Sequence, residues 1–191
     1  RSLDLSNMKL TEVAVISLIT VLPNLDQLQT LKLSGNTLSV ACMRVLAVSL
    51  KMMTGLRSLK LSQTGLGRDG THLVKILSAC HQLEQLDLSD NQFGDNGALI
   101  LSQCLTSMPH LRILHLDGNS IGAEGIRSIA AVLPQHRALE ELILLRHKAH
   151  QPAAFGFGFG PSRGFATAGK DRSTLVSVLE YFEDWKALDQ F

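Results

Sequence analysis

Residues 28–38 read LQTLKLSGNTL, a pattern of leucines from which the architecture of the chain can be predicted. The same arrangement recurs as LRSLKLSQTGL at 56–66, LEQLDLSDNQF at 83–93 and LRILHLDGNSI at 111–121. A further copy begins at Leu139, so the starting leucines are 28, 27, 28 and 28 residues apart. Residues 2–10 hold one more copy that lacks its first leucine. Self-similarity at a fixed interval of this length predicts a solenoid of stacked repeats.

Each repeat combines a short strand with a helix. Leucines that alternate with other residues, as at Leu31 and Leu33, predict a strand with one face turned inward. In the second half of each repeat a small residue is followed four positions later by an aliphatic one, which is helical spacing. These pairs are Ala14/Leu18, Cys42/Leu46, Gly70/Val74, Gly97/Leu101 and Gly125/Ile129. Stacked units of this kind predict an α/β solenoid with a parallel sheet on the concave face, helices on the convex face and a continuous leucine core.

A polar residue recurs at the turn after each strand, and we predict that it forms a structural ladder through the stack. Asn36, Asn91 and Asn119 hold this position, and Thr64 replaces them in the third repeat. An asparagine amide has donors and an acceptor for backbone groups of a neighbouring coil, and a threonine hydroxyl substitutes for it in part. Met8 cannot do so, which predicts that the ladder is broken at the N-terminal edge.

The pattern LxxLxLxxNxL, followed by glycine at a period near 28, resembles the ribonuclease-inhibitor type of leucine-rich repeat over residues 1–145. Ribonuclease inhibitor itself is far richer in cysteine. The resemblance implies a right-handed βα superhelix that acts by binding proteins. Because NOD-like receptors are the most populous large hosts of such repeats, we expect a sensing or autoinhibitory region of such an innate immune receptor. The alternatives are a scaffold of the Tonsoku-like genome-maintenance or actin-regulating type, and a Ran GTPase-activating protein.

The outward residues in the middle of the strands are the candidate contact for a protein partner on the concave face. They are Asp4, Lys32, Lys60, Asp87 and His115. Varied, charged positions on a rigid scaffold are where a recognition surface is tuned. The alternative is an ordinary solvated face.

The composition excludes several classes of function. With 18 basic and 17 acidic residues, binding to nucleic acid driven by bulk positive charge is not expected. No apolar run is long enough to span a membrane, and three scattered cysteines suit a reducing compartment, which favours the cytoplasm, with the nucleus as an alternative. Signatures of nucleotide-binding, hydrolytic and metal-dependent enzymes are missing, so we predict no enzyme activity, cofactor or metal.

Beyond residue 145 the repeat stops. Residues 146–172 contain FGFGFG and a local charge of +4, which predicts a flexible linker that folds back on the last repeat or, alternatively, an aromatic and basic patch. Residues 173–191 have helical apolar spacing and a charge of −3, which predicts an amphipathic helix that caps the stack or docks on another protein. The chain opens inside a repeat, so we expect a piece of something larger, with a contact to an upstream domain as one possibility.

Overall fold

Short parallel strands form one layer of the protein in the computed structural model, which describes residues 1–68, 76 and 81–144. Each strand in this part has three residues, and the strands follow one another across the sheet in chain order. They are β1 (Ser2–Asp4), β2 (Thr30–Lys32), β3 (Ser58–Lys60), β4 (Gln85–Asp87), β5 (Ile113–His115) and β6 (Glu141–Ile143). The central leucines pair in register, as the repeat predicted: Leu3, Leu31, Leu59, Leu86, Leu114 and Leu142.

Helices form the other layer. The described helices are α1 (Glu12–Val21), α2 (Val40–Met52), α3 (Gly94–Leu105) and α4 (Ala123–Val132). Short 3₁₀ turns cover Leu22–Asn24, Leu66–Arg68 and Leu133–Gln135. The parallel sheet and the helical layer confirm the predicted α/β solenoid of stacked strand–helix units, with strands in one layer and helices in the other.

The core between the layers is aliphatic and continuous. The inward leucines of β2 to β6 are at most 4 % exposed, and Ile19, Leu46, Leu101 and Ile129 meet them from the helices with no more than 1 % exposed. Leu18, which the helical spacing placed inward, is only half-buried at the edge of this core. A single coil could not bury these side chains alone, so burial of the core requires several stacked coils.

The helices begin in two different ways. Thr11 and Ser39 cap α1 and α2 within their own coils, because their hydroxyls accept the amides of Ala14 and Cys42 at 3.3 Å each. The residue that precedes α4 is Gly122, which has no side chain to do this.

The cap of α4 comes from the preceding coil. Asp95 Oδ1 accepts the backbone N–H groups of Gly122 at 2.7 Å and of Gly125 at 2.9 Å. A Cβ built on Gly125 would lie 2.7 Å from the same oxygen and 2.8 Å from the Cβ of Ala98. The lack of a side chain at position 125 therefore lets α3 approach α4 closely enough for one carboxylate to cap the next helix.

The turn ladder bridges adjacent coils through side-chain amides. Asn119 Nδ2 donates to Leu88 O of the preceding coil at 2.9 Å and to Leu116 O of its own coil at 2.8 Å. Asn91 makes the same pair of bonds to Leu61 O and Leu88 O at 2.7 and 2.9 Å. Because these asparagines are at most 1 % exposed, their bonds satisfy carbonyls that water cannot reach.

The first coils show how the ladder depends on the amide. Asn36 donates to Leu5 O at 2.8 Å, so the first coil is bridged from its neighbour. Met8 holds the equivalent position in that coil and is 57 % exposed. Thr64 Oγ1 lies 2.8 Å from Leu61 O in its own coil and 3.1 Å from Asn91 Oδ1. A hydroxyl has one hydrogen where an amide has two, so Thr64 cannot donate to two coils at once.

The remaining predictions about the chain concern residues outside the described part. The predicted end of the repeats at residue 145 lies one residue beyond it, as do the linker at 146–172 and the amphipathic segment at 173–191. The predicted helical pair of Gly70 and Val74 in the third repeat also lies outside the described part.

Candidate functional site on the sheet face

The parallel register brings the predicted contact residues into one row on neighbouring strands. Asp4 pairs with Lys32, Lys32 with Lys60, Lys60 with Asp87, and Asp87 with His115. Adjacent parallel strands lie about 4.8 Å apart, so the row is a stripe of charged groups spaced closely enough to interact. We call this set of five residues the middle row.

At the N-terminal end of the middle row the charges neutralise each other. Lys32 Nζ lies 2.9 Å from Asp4 Oδ2, with the two side chains 34 % and 52 % exposed. The backbone N–H of Ser6 donates to the other oxygen, Asp4 Oδ1, at 3.0 Å. The hydrogen bond from Lys32, helped by the bond from Ser6, lowers the pKa of Asp4 to about 2. Lys32, predicted as a partner contact, is thus already engaged within the chain.

This pair leads to a pH prediction. Replacing Lys32 by Gln removes the main cause of the shift, so the pKa of Asp4 should rise from about 2 toward its ordinary value of 3.8. Because the folded-state pKa is the lowered one, the stabilising effect of the pair is complete above pH 4 and is lost as the pH falls through about 2. The carboxyl ¹³C shift of Asp4 in a pH titration by NMR measures this directly. An unchanged midpoint in the Lys32→Gln variant would assign the shift to Ser6 instead.

Lys60 differs from Lys32. In the described part of the chain its ammonium group has no carboxylate within 4 Å, although Asp87 pairs with it in register. The Asp87 carboxylate accepts the backbone N–H of Ser89 at 3.1 Å, within its own turn. Lys60 is half-buried at the centre of the sheet. Among the described residues it is therefore a half-buried cation without a carboxylate at ion-pair distance.

At the other end of the middle row, His115 lies against a carboxylate that sequence analysis did not select. His115 Nε2 is 3.5 Å from Glu141 Oε1 on the adjacent strand, an ion pair when the histidine is protonated. The next position of this row is Ile143, which is half-buried. The C-terminal end of the middle row is consequently less polar than its centre.

Charged residues just before the strands form a second row, which we call the flanking row. Arg57 Nε lies 3.6 Å from Glu84 Oε1, and Arg112 Nη2 lies 2.8 Å from Glu140 Oε2. The hydrogen bond from Arg112 to Glu140 raises the pKa of Arg112. Each cation faces an anion one coil further along, so this row offers little net charge to a partner. The alternation of sign at intervals of 27 and 28 residues is a signal of this row in the sequence itself.

The row that follows the strands is polar and largely neutral. Ser34 Oγ accepts the backbone N–H of Ser62 at 3.2 Å, and Ser89 Oγ donates to Asp117 Oδ1 at 2.6 Å. Hydroxyls of this row thus bond to the neighbouring coil, which leaves the centre of the middle row as the more distinctive feature of the sheet face.

Features of a metal site or a membrane span are absent from the described residues. Over 1–68, 76 and 81–144 there is no cluster of three His, Cys, Asp or Glu side chains that could hold a metal ion. Cys42 is fully buried in the helical layer, and burial raises the pKa of the half-buried Cys104 thiol. None of the helices in this part of the chain is long and apolar enough to cross a membrane.

Comparison with known proteins identifies the repeat. A family described as "Leucine Rich repeat" matches residues 79–102 and 107–130. Bovine Tonsoku-like protein is 31 % identical over 120 residues, which cover 61 % of this chain and 9 % of that protein. Human protein NLRC5 is 36 % identical over 158 residues, covering 69 % of this chain and 8 % of that protein.

A Drosophila melanogaster Ran GTPase-activating protein is 40 % identical over 72 residues, covering 32 % of this chain and 12 % of that protein. The chain therefore spans about a tenth of the length of these relatives. Among solved structures, a crystal structure of a TLR13–ssRNA13 complex matches with a TM-score of 0.45 at 22 % identity, covering 65 % of this chain and 20 % of that one.

Proposed function

Because the chain is built of leucine-rich repeats, we propose that it is a protein-binding module whose sheet face contacts the partner. The observation that carries this proposal is the uncompensated Lys60 at the centre of the middle row. Its neighbours on the face, the pair of Asp4 and Lys32 and the flanking row, are neutralised within the chain. A half-buried lysine whose ammonium group has no carboxylate within 4 Å in the described part of the chain favours a partner that presents a carboxylate at this point.

The finer proposal is that the module is the sensing or autoinhibitory region of a NOD-like innate immune receptor that acts in the cytoplasm. The similarity to human NLRC5 over 69 % of this chain supports it, as does 37 % identity over 108 residues to a rat NACHT, LRR and PYD domains-containing protein 1a. In such a role the sheet face would bind a ligand or an upstream domain of the same protein, and binding would shift an equilibrium between off and on states.

The similarity to Tonsoku-like protein supports a second candidate, a scaffold that holds other proteins together without switching. The similarity to Ran GTPase-activating protein covers only 32 % of this chain, and we assign no catalytic role to any described residue. The partner's identity separates these candidates: a nucleotide-binding domain of the same protein indicates a receptor, a chromatin protein indicates a scaffold, and Ran indicates the third class.

The test is a quantitative affinity purification from cells with the full 191-residue chain as bait. Lys60→Glu should reduce recovery of a sheet-face partner about tenfold, which corresponds to about 1.4 kcal/mol. Lys9→Glu, an equal charge reversal at an exposed position outside the strands and outside α2, is the matched control and should leave recovery unchanged. Equal recovery with both variants would show that the partner does not use the centre of the sheet face.

A further inference from the structure

The outer surface of α2 is apolar where an exposed surface is ordinarily polar. Val40, Val48 and Met52 are 45 %, 63 % and 64 % exposed, and they lie at intervals of four or eight residues along one side of the helix. Scattered exposed apolar residues are normal, but a contiguous group on one element marks an interaction surface. We call these three residues the α2 stripe.

The corresponding positions of the other described helices carry polar or small side chains. Counted from the small residue near the start of each helix, Val48 corresponds to Thr20 in α1, Gln103 in α3 and Ala131 in α4. Counted in the same way, Met52 corresponds to Asn24, Ser107 and Gln135. The apolar character of the stripe is therefore a departure of the second coil and not a property of the repeat.

Two cations accompany the α2 stripe. Arg44 lies between Val40 and Val48 on the same side of the helix, and Lys51 precedes Met52. Both side chains are exposed, and within the described residues neither has an ion-pair partner. By contrast, the only charged residue of α1 is Glu12. An occupant of the stripe should be apolar on one side and acidic beside it.

Residues 173–191 of the same chain have this chemistry. Their pattern places apolar residues at helical spacing, among them Leu179, Phe182 and Trp185, and their net charge is −3. The 29 residue steps from Leu144 to Ser173 can span up to roughly 100 Å. The intervening residues are therefore long enough for the segment to reach the second coil. A tethered segment also acts at an effective concentration in the millimolar range, so even a weak contact would be populated.

We propose that residues 173–191 dock on the α2 stripe, with their apolar side on Val48 and Met52 and their carboxylates near Arg44 and Lys51. Of the large apolar side chains that remain exposed in the described part, Leu99 in α3 alone lies beyond the second coil. The apolar surface open to an amphipathic segment is therefore on the N-terminal half of the helical layer. This surface faces away from the sheet, so the docked segment leaves the sheet face free.

The chain contains a single tryptophan, Trp185, which makes the proposal directly measurable in the intact protein. The experiment records Trp185 emission and its quenching by acrylamide, with a synthetic peptide of residues 173–191 as the fully exposed reference. The intact chain should emit at shorter wavelength and be quenched several-fold less than the peptide. The double variant Val48→Asp/Met52→Asp should bring both readings to the values of the peptide.

The control is Leu99→Asp, which puts a carboxylate on an exposed apolar position of α3 and should leave Trp185 protected. If the double variant loses its far-ultraviolet circular dichroism, Arg44→Glu/Lys51→Glu tests the same contact without altering the apolar side chains. A fully quenchable Trp185 in the intact chain would overturn the proposal. Protection of Trp185 that survives the α2 substitutions would also overturn it, because that result is expected if the segment caps the last coil. Protection that disappears on dilution would overturn it as well, because that result is expected if the segment docks on a second copy of the chain.

Discussion

Replacing Asn91 by Ala is expected to lower the free energy of unfolding by roughly 3 kcal/mol, because it leaves the buried N–H groups of Thr64 and Leu66 without an acceptor. It also takes one of two donors from Leu61 O and from Leu88 O, which keep their bonds from Thr64 Oγ1 and Asn119 Nδ2. The amide donates to Leu61 O and Leu88 O, and its oxygen accepts the N–H groups of Thr64 and Leu66 at 3.0 and 3.2 Å. The residue is 1 % exposed, so water cannot replace these bonds without opening the turn. Urea unfolding followed by far-ultraviolet circular dichroism measures the loss.

Met8→Ala is the matched control for Asn91→Ala. Met8 holds the equivalent turn position in the first coil, but it is 57 % exposed and has no amide to lose. Its replacement should change stability by less than about 0.5 kcal/mol, as is usual at exposed positions. A cost below about 1 kcal/mol for Asn91→Ala would mean that the ladder does not hold the coils together.

Replacing Asp95 by Ala is expected to cost about 2 kcal/mol, although the residue is exposed and belongs to a different coil from the helix it caps. The change removes a charged acceptor from the backbone N–H groups of Gly122 and Gly125 at the start of α4. Because the carboxylate joins two coils, its loss should loosen α4 against α3. Amide hydrogen exchange should therefore accelerate in α4 more than in α1, with the overall change again measured by urea unfolding.

Glu124→Ala separates the cap from a general charge effect. Glu124 also places a carboxylate in the first turn of α4, but its side chain is 74 % exposed and pairs with Arg127. An exposed pair of this kind contributes little, so this variant should cost less than about 0.5 kcal/mol. Similar losses for Asp95→Ala and Glu124→Ala would attribute the effect to the helix dipole rather than to the bonds across the coils.

Sequence reasoning predicts what the repeat itself dictates. The register of Leu31, Leu59, Leu86 and Leu114 follows from the spacing, since only that alignment buries every leucine, and the structure confirms it. The bridging bonds of the asparagines follow from the same spacing because an amide at a buried turn has carbonyls of the adjacent coil within reach.

The polar contacts that side chains make with a neighbouring coil could not be predicted in the same way. The pairing of Lys32 with Asp4 and the cap from Asp95 to Gly122 join residues 28 and 27 positions apart. The repeat places such residues side by side, but the rotamer of each polar side chain decides whether a hydrogen bond forms. For that reason Lys32 and Lys60 looked alike in the sequence, whereas in the structure only Lys32 has a carboxylate within 4 Å among the described residues.

The third repeat is one residue shorter than the others, yet Leu59 and Leu86 still pair in register and Thr64 still bonds to Asn91. Counting along the chain, the missing residue falls between Leu66 and Leu83, after the strand and its turn. Variation in length is thus absorbed away from the strands. An evolving gene can add or delete codons in that stretch while the spacing of the six strands, and with it the geometry offered to a bound molecule, stays constant.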